Sequence, residues 1–333
     1  MLTTSFTRTF NVAHPIIQAG MSSDCGWPLA AAVSNAGALG TLGSIGREPG
    51  NLRSEIRRCR SETGRPFAVN VGAFDWSPFA GELLAVAISE RVPVITLSFG
   101  DVVGALRRCK EAGITTMVQV QTMSVAREVL AEGTDLIIAQ GHEAGGHTGT
   151  RGTMSFAAEV LAIAGDTPVA VAGGIGNGKG LAAVLAMGAS AAVMGTRFKA
   201  TPEFGPLATF DAEQKASLVA SDGDSTVHDP ITDIAIGVNW PDGIAGRVIR
   251  NRFADEWLGR ADELQEAVAA VPEQFGWTTT NNQSVDTILN WAGESSGLVK
   301  AITPAAEILS ETLAEAESLL KAAAALQDPA TSR

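Results

Sequence analysis

Tyrosine is absent from the 333 residues of this chain; cysteine occurs three times and histidine four. Each scarcity removes a class of protein. Cys25, Cys59 and Cys109 are far apart and form no Cys-x-x-Cys pair, so they suit reduced thiols of a cytosolic protein rather than a disulfide frame or a zinc site. Positive charge is also short, with 24 Lys and Arg against 36 Asp and Glu and a net charge of −12. The densest basic clusters (Arg57, Arg58, Arg60 and Arg107, Arg108, Lys110) fall in segments of helical spacing and read as solvated helix faces. Nucleic acid needs a positive footprint that is missing here. No apolar run reaches the ~20 residues of a membrane span. The longest, GLAAVLAMGASAAVMG, is broken by Gly188 and Ser190. The opening MLTTSFTRTFNVAHPIIQAG lacks the basic-then-apolar layout of an export signal, so the expected location is cytoplasmic.

What is present is material for a core. Hydrophobic residues make up 45% of the chain and charged ones 18%, a globular balance for one large domain or two. From Pro15 to Gly195 a unit recurs: a short apolar run, a turn containing Gly or Ser, then ten to fifteen residues of helical spacing. The strands expected are PIIQ (15–18), ALGTL (38–42), FAVN (67–70), VITLS (94–98), TTMVQV (115–120), LIIA (136–139), VAVA (169–172) and AAVMG (191–195). Apolar strands alternating with helices make a parallel sheet covered on both sides. Eight units in succession predict an α/β fold of the (β/α)8 barrel type. An open doubly wound sheet would place G-x-G-x-x-G after the first strand, and QAGMSSDCG does not supply it.

Beyond Gly195 the alternation stops. Residues 204–285 read as a mainly helical insertion on the substrate side, with helices over DAEQKASLVAS and NRFADEWLGRADELQEAVAAV. Its aromatic residues Phe204, Phe253, Trp240 and Trp257 read mostly as core. Residues 1–203 and 286–328 then form the barrel, closed by a long helix whose start is marked by Thr303-Pro304, with DPATSR a frayed end.

In such a barrel the reactive groups gather at the carboxyl ends of the strands. Two loops there are rich in glycine. AGGIGNGKG after the seventh strand and MGTRF after the eighth bare their main-chain N–H groups, and the first runs into a helix, whose N-terminus attracts an anion. Together they suit a phosphate. The third feature is GHEAGGHTG, residues 141–149, at the end of the sixth strand. Its glycines let backbone approach a flat ligand, and a neutral imidazole at His147 suits proton transfer near neutral pH. His142, Glu143 and His147 as metal ligands are disfavoured, because no further ligand stands at a familiar spacing. His14 and His228 lack a glycine frame and read as structural or solvent-facing.

HPIIQAGM, AAAVSNAGALGTLGS, FAVN, QGHEAGGHTG, VAGGIGNGKGLAAVLAMGASAAVMGTRF and WAGESSGLVKAITPAAEIL, in this order, resemble the nitronate monooxygenase family, formerly called 2-nitropropane dioxygenases. Flavin-dependent enoyl-ACP reductases and NADH:quinone reductases share E-A-G-G-H-x-G and G-T-R-F. The resemblance implies non-covalent FMN, its phosphate on Gly173, Gly174, Gly195 and Thr196. Its ring would lie near Met21, Asn70, Gln119 and the backbone of Ala144, Gly145 and Gly146, with Gln140 a further candidate. His147 matches the family's active-site histidine, the base toward neutral nitroalkanes or the partner of an anionic nitronate. Gly20 departs from the family's Pro in Q-A-P-M, and a pocket role that relatives give to tyrosine must be filled otherwise. The implied activity is oxidation of alkyl nitronates by FMN and O2. The alternatives are an NAD(P)H-dependent reductase of quinones or enoyl thioesters and a non-catalytic FMN- or phosphate-binding barrel. The partners implied are a small-molecule substrate and O2, not nucleic acid or a membrane; a homo-oligomer is left open.

Overall fold

The computed structural model describes residues 2–74, 79–205, 211–275, 287 and 289–326. Nine strands of the first two hundred residues are β1 Ile16–Gln18, β2 Gly40–Gly43, β3 Phe67–Ala73, β4 Val94–Gly100, β5 Thr115–Val120, β6 Leu136–Gln140, β7 Gly146–Thr148, β8 Val169–Ala172 and β9 Ala191–Met194. All except β7 join one parallel sheet in the order β1-β9-β8-β6-β5-β4-β3-β2. A parallel bridge between Ile17 and Leu39 brings its two edges together. The result is the expected (β/α)8 barrel, each of the eight expected runs supplying one strand.

The helices between strands follow from spacing and caps. In Val102–Glu111, Val102, Ala105, Leu106 and Cys109 are buried while Arg107, Arg108 and Lys110 face solvent, a stripe at the helical period. Asp101 starts that helix by accepting from the Gly104 amide at 2.8 Å. Arg107 pairs with Glu132, and Arg57 and Arg60 pair with Glu90, so both basic clusters are outward faces. The closing helix, Ala305–Ala325, buries Ala305, Ile308, Leu309, Thr312 and Ala316. It crosses helix Gly178–Ala186 so closely that a Cβ on Gly178 would stand 2.5 Å from the Thr312 carbonyl oxygen.

Inside the barrel an apolar cluster is formed by Ile17, Leu39, Ala68, Val94, Met117, Leu136, Ile138, Ala170, Ala191 and Val193, with Phe6 and Phe10 packed against them. The helix Ser5–Thr9 that carries Phe6 is fastened at the N-terminal end of β9, where Thr4 Oγ1 donates to the Ser190 carbonyl at 2.7 Å. That end is therefore plugged.

The segment after β9 contains helices Asp211–Ala220, Ile231–Ile236, Arg252–Trp257 and Ala261–Ala270, and two strands that its sequence pattern did not announce. β10 Thr226–Asp229 pairs antiparallel with β11 Ala245–Ile249, and β11 pairs with β7. Val227, Ile231, Val248, Phe253 and Leu264 make a separate apolar cluster here. The boundary expected at 285/286 and the tail 328–333 lie outside the described residues. No helix among the described residues is long and apolar enough to cross a membrane.

Candidate active site

Side chains alternate across a strand, so the inward row of the lower barrel continues upward two residues at a time. On β3 the row passes from Ala68 to Asn70, on β4 from Val94 to Thr96 and Ser98, on β5 from Met117 to Gln119. The upper members are polar, and most are paired by hydrogen bonds. Asn70 Nδ2 donates to Ser98 Oγ at 3.2 Å. Gln140 Oε1 accepts from Gln119 Nε2 at 3.1 Å and from Gln121 Nε2 at 2.8 Å, and Gln140 Nε2 donates to the His147 carbonyl at 3.3 Å. Gln140, a secondary candidate by sequence, is thus the junction between two strands and the histidine loop. Two hydroxyls of this end, Thr96 Oγ1 and Ser44 Oγ, are buried without a hydrogen-bond partner among the described residues, a state that favours a polar ligand.

The glycines of residues 141–149 have reasons within the protein itself. A Cβ on Gly141 would stand 2.0 Å from Thr153 Oγ1, and one on Gly145 would stand 2.6 Å from the Gly293 nitrogen. Gly146 has φ +74°, a left-handed conformation that favours glycine. Glu143, between them, accepts from the Thr153 amide at 2.9 Å and from its hydroxyl, so it anchors the start of helix Thr153–Ile163. The glycine demand of this loop therefore comes at least in part from close packing on residues 153 and 292–293.

His147 is presented by β7, and the β7–β11 pairing sets Gly246 opposite it. Its Nε2 lies 2.6 Å from Asp233 Oδ1. Its ring stacks on Trp240, with centroids 3.9 Å apart and planes at 17°, and leans on Trp291 at 5.0 Å. Trp240 also meets Phe99 and Phe74 edge-on, at 4.8 and 5.0 Å. Phe99 is turned toward this group by a left-handed backbone (φ +56°) next to Gly100 (φ +66°), at a register shift between β3 and β4. Reading the chain alone does not single out Asp233, Phe74 or Trp291, and it counts Trp240 among insertion aromatics that are mostly core. All are far from His147 in sequence, and no local spacing links them to it.

The phosphate-loop candidates converge on the same end. Gly173 (φ +110°) and Gly174 (φ +72°) both have left-handed backbone, and a Cβ on Gly173 would stand 3.3 Å from the Ala144 nitrogen. A Cβ on Gly195 would meet Met21 Sδ at 3.8 Å, which puts the loops of β9 and β1 side by side. Met21 itself is left-handed, with φ +46°. Thr196 Oγ1 accepts from the Gly293 amide at 2.9 Å, tying the same corner to WAGESSG. One expected contribution is spoken for. The N-terminus of helix Gly178–Ala186 is capped by Asn177 and by Glu315, whose carboxylate accepts from the Gly178 amide at 2.9 Å. The first amides of that helix are thus satisfied by side chains of the protein itself.

Beside the histidine loop, Arg247 is buried. It donates to the His142 carbonyl at 3.1 Å and pairs with Glu294 at 3.1 Å. His228 is half-buried and bonded to Thr148 Oγ1 at 3.0 Å; burial first, then the Arg247 charge, holds it below the usual imidazole range. His14 is likewise lowered by burial. Cys25, Cys59 and Cys109 are free and buried, and desolvation pushes the first two up to about 12 and the third to about 11. They are structural thiols, not nucleophiles. Among the described residues no group of three or more His, Cys, Asp or Glu is arranged to hold a metal.

The family model described as nitronate monooxygenase matches residues 3–80 and 76–315. A nitronate monooxygenase of Pseudomonas aeruginosa is 31% identical over 94% of this chain and 99% of its own length. The (3aS,4S,5R,7aS)-5-hydroxy-7a-methyl-1-oxo-octahydro-1H-indene-4-carboxyl-CoA dehydrogenase of Mycobacterium tuberculosis is 38% identical over 204 residues. That match spans 61% of this chain and 57% of the relative. The solved structure of FabK from Thermotoga maritima superposes with a TM-score of 0.84 at 31% identity, covering 98% of this chain and all of the other. With its eight-stranded barrel, polar mouth and glycine-framed histidine, the chain belongs to the nitronate monooxygenase family of flavin-dependent oxidoreductases.

Proposed function

We propose that this protein oxidises alkyl nitronates, and nitroalkanes once they have lost a proton, with FMN and O2, releasing a carbonyl compound and nitrite or nitrate. The observation that carries the proposal is His147, held on paired backbone beside the polar barrel mouth. The residues fit the flavin. Gly173, Gly174, Gly195 and Thr196 would hold its phosphate with main-chain amides and one hydroxyl. Met21, Asn70, Gln119, Gln140 and the Ala144–Gly146 backbone would face its ring, where the orphaned Thr96 and Ser44 hydroxyls also need partners. When bound, FMN supplies the electron sink and the means of reducing O2.

The chain's own residues supply the rest. His147 holds the proton removed from a neutral nitroalkane, or sits against the nitro group of a nitronate. Phe74, Phe99 and Trp240 wall the site with apolar surface that excludes water. Residues 204–285 serve the substrate side, since β11 and Trp240 both lie against His147.

A second reading is favoured by the Mycobacterium tuberculosis relative, whose name puts a coenzyme A thioester in its substrate. In that case the flavin exchanges electrons with NAD(P)H or an acyl thioester. One experiment separates the two. Purified protein is mixed without oxygen with propionate 3-nitronate, NADH or NADPH while the flavin absorbance is followed. Bleaching by nitronate alone is expected; prompt bleaching by a pyridine nucleotide would overturn the nitronate reading in favour of the second.

A further inference from the structure

We propose that Asp233 is the positioning residue of His147. It holds the imidazole as the Nε2–H tautomer, which makes Nδ1 the atom that takes the substrate proton. This inference rests on the reading of His147 as the base.

Three observations carry it. Asp233 is buried, 3% exposed, and its Oδ1 lies 2.6 Å from His147 Nε2. At this distance an ionised carboxylate, which only accepts, requires the proton on Nε2. Second, its other oxygen, Oδ2, is buried with no partner among the described residues. A carboxylate serving the fold alone would be satisfied by several donors. Asp233 is not needed as a helix cap either, because Asp229 already accepts from the first amide of helix Ile231–Ile236 at 3.0 Å. Third, the ring's remaining freedom is taken by Trp240, stacked on one face at 3.9 Å, and by Trp291 leaning at 5.0 Å. Among the described residues Nδ1 has no protein partner.

The proton balance is simple. The C–H bond next to the nitro group breaks, its electron pair spreads onto the nitro oxygens, and the proton forms a bond to Nδ1. Nε2–H stays donated to Asp233, whose charge stabilises the imidazolium beside it in a site shielded from water. The insertion thus sets the chemistry of a barrel loop: Asp233 and Trp240 both come from residues 231–240.

The test uses flavin-loaded protein and compares Asp233→Asn, Asp233→Glu and His147→Gln. An amide at 233 can offer N–H to Nε2 and so stabilises the opposite tautomer. We expect Asp233→Asn to lower kcat/KM for neutral nitroethane by about 10²–10⁴-fold, while oxidation of preformed ethylnitronate changes by less than about tenfold. Asp233→Glu restores part of the loss. Long-range 1H–15N correlation of the histidine ring reports Nε2–H in the unsubstituted protein and Nδ1–H in Asp233→Asn. If Asp233→Asn keeps nitroethane turnover within about threefold while His147→Gln loses it, the base stands and the role of Asp233 falls. If His147→Gln is itself active on nitroethane, the reading of the base falls instead. Should Asp233→Asn not fold, an Nδ1–H signal in the unsubstituted protein is enough to overturn the proposal.

Discussion

The two ends of the barrel are made by the same strands and the same inward-facing alternation, yet they are chemically opposite. At the N-terminal end the row is Leu39, Ala68, Val94, Met117 and Leu136, sealed by Phe6 and Phe10. At the C-terminal end it is Asn70 bonded to Ser98, and Gln119 bonded to Gln140, which leads to His147. The distance between the two rows is one alternation on β3 and β5 and two on β4 and β6, roughly 6.6 to 13 Å along a strand. Because Cβ direction repeats every second residue, a single polar substitution per strand moves that strand from core to site without disturbing its pairing. Stability and chemistry are thus assigned to different levels of one tube, and substitutions at one level should leave the other almost untouched.

The sharpest way to break this contrast is at the plug. Phe6 is fully buried under the barrel; Phe6→Ala is expected to cost about 3–5 kcal/mol, measured as the shift of the urea midpoint. Turnover of nitronate per folded molecule should not change; a matching loss of activity would show that the two ends are coupled. At the other end, His147→Ala should lower turnover of neutral nitroalkanes by about 10²-fold or more. Preformed nitronates should suffer less, and the urea midpoint should move far less than with Phe6→Ala. Equal losses on both substrate forms would remove the histidine from proton transfer.

The barrel was legible because its signals are local. Each expected strand is a contiguous apolar run, and the glycine loops that follow lie where expected. The reason for some of those glycines was not legible. Gly145 and Gly141 meet residues 292–293 and 153, contacts that exist only after folding. The ribbon of β10 and β11 was hidden for a related cause: TVHD and AGRVI are too short to show alternation, and β11 takes its other neighbour from three residues of the histidine loop. Asp233 lies 86 positions from His147, beyond any spacing rule. What could have pointed to it is a carboxylate inside the apolar run ITDIAI, a residue type that is rarely buried without a partner.

A smaller effect is expected at Gly20, where the family carries Pro. A Cβ on Gly20 would stand 2.4 Å from the Cβ of Asn70, so this chain's Asn70 and its glycine fit each other. Gly20→Ala should therefore destabilise by about 1–3 kcal/mol, and most of that should vanish in Gly20→Ala combined with Asn70→Gly, a non-additive pair. Thermal midpoints of the two single variants and the double variant decide it. Strict additivity would mean that the loop after β1 relaxes on its own and that the missing Pro has another cause.

The mildest prediction concerns acid, and it sharpens the border between barrel mouth and insertion. His228, on β10, is held below its ordinary range by burial and by the neighbouring Arg247 and His142. The unfolded chain then takes up its proton at a higher pH than the folded protein does, so stability rises with pH through this window. Above the ordinary imidazole value, about 6.5, the group is neutral in both states and contributes nothing to the slope. As pH falls through that value the unfolded state gains and the fold weakens, until His228 is protonated in the fold as well. His14 is shifted in the same direction, so the informative quantity is a difference. His228→Gln retains a polar side chain facing Thr148 Oγ1 without a group that titrates here. The fall in urea midpoint from pH 7 to pH 5.5 should be smaller in this variant than in the unsubstituted protein. An equal fall would mean that His228 is protonated without cost, and that the contact between β10 and the histidine loop is wet rather than closed.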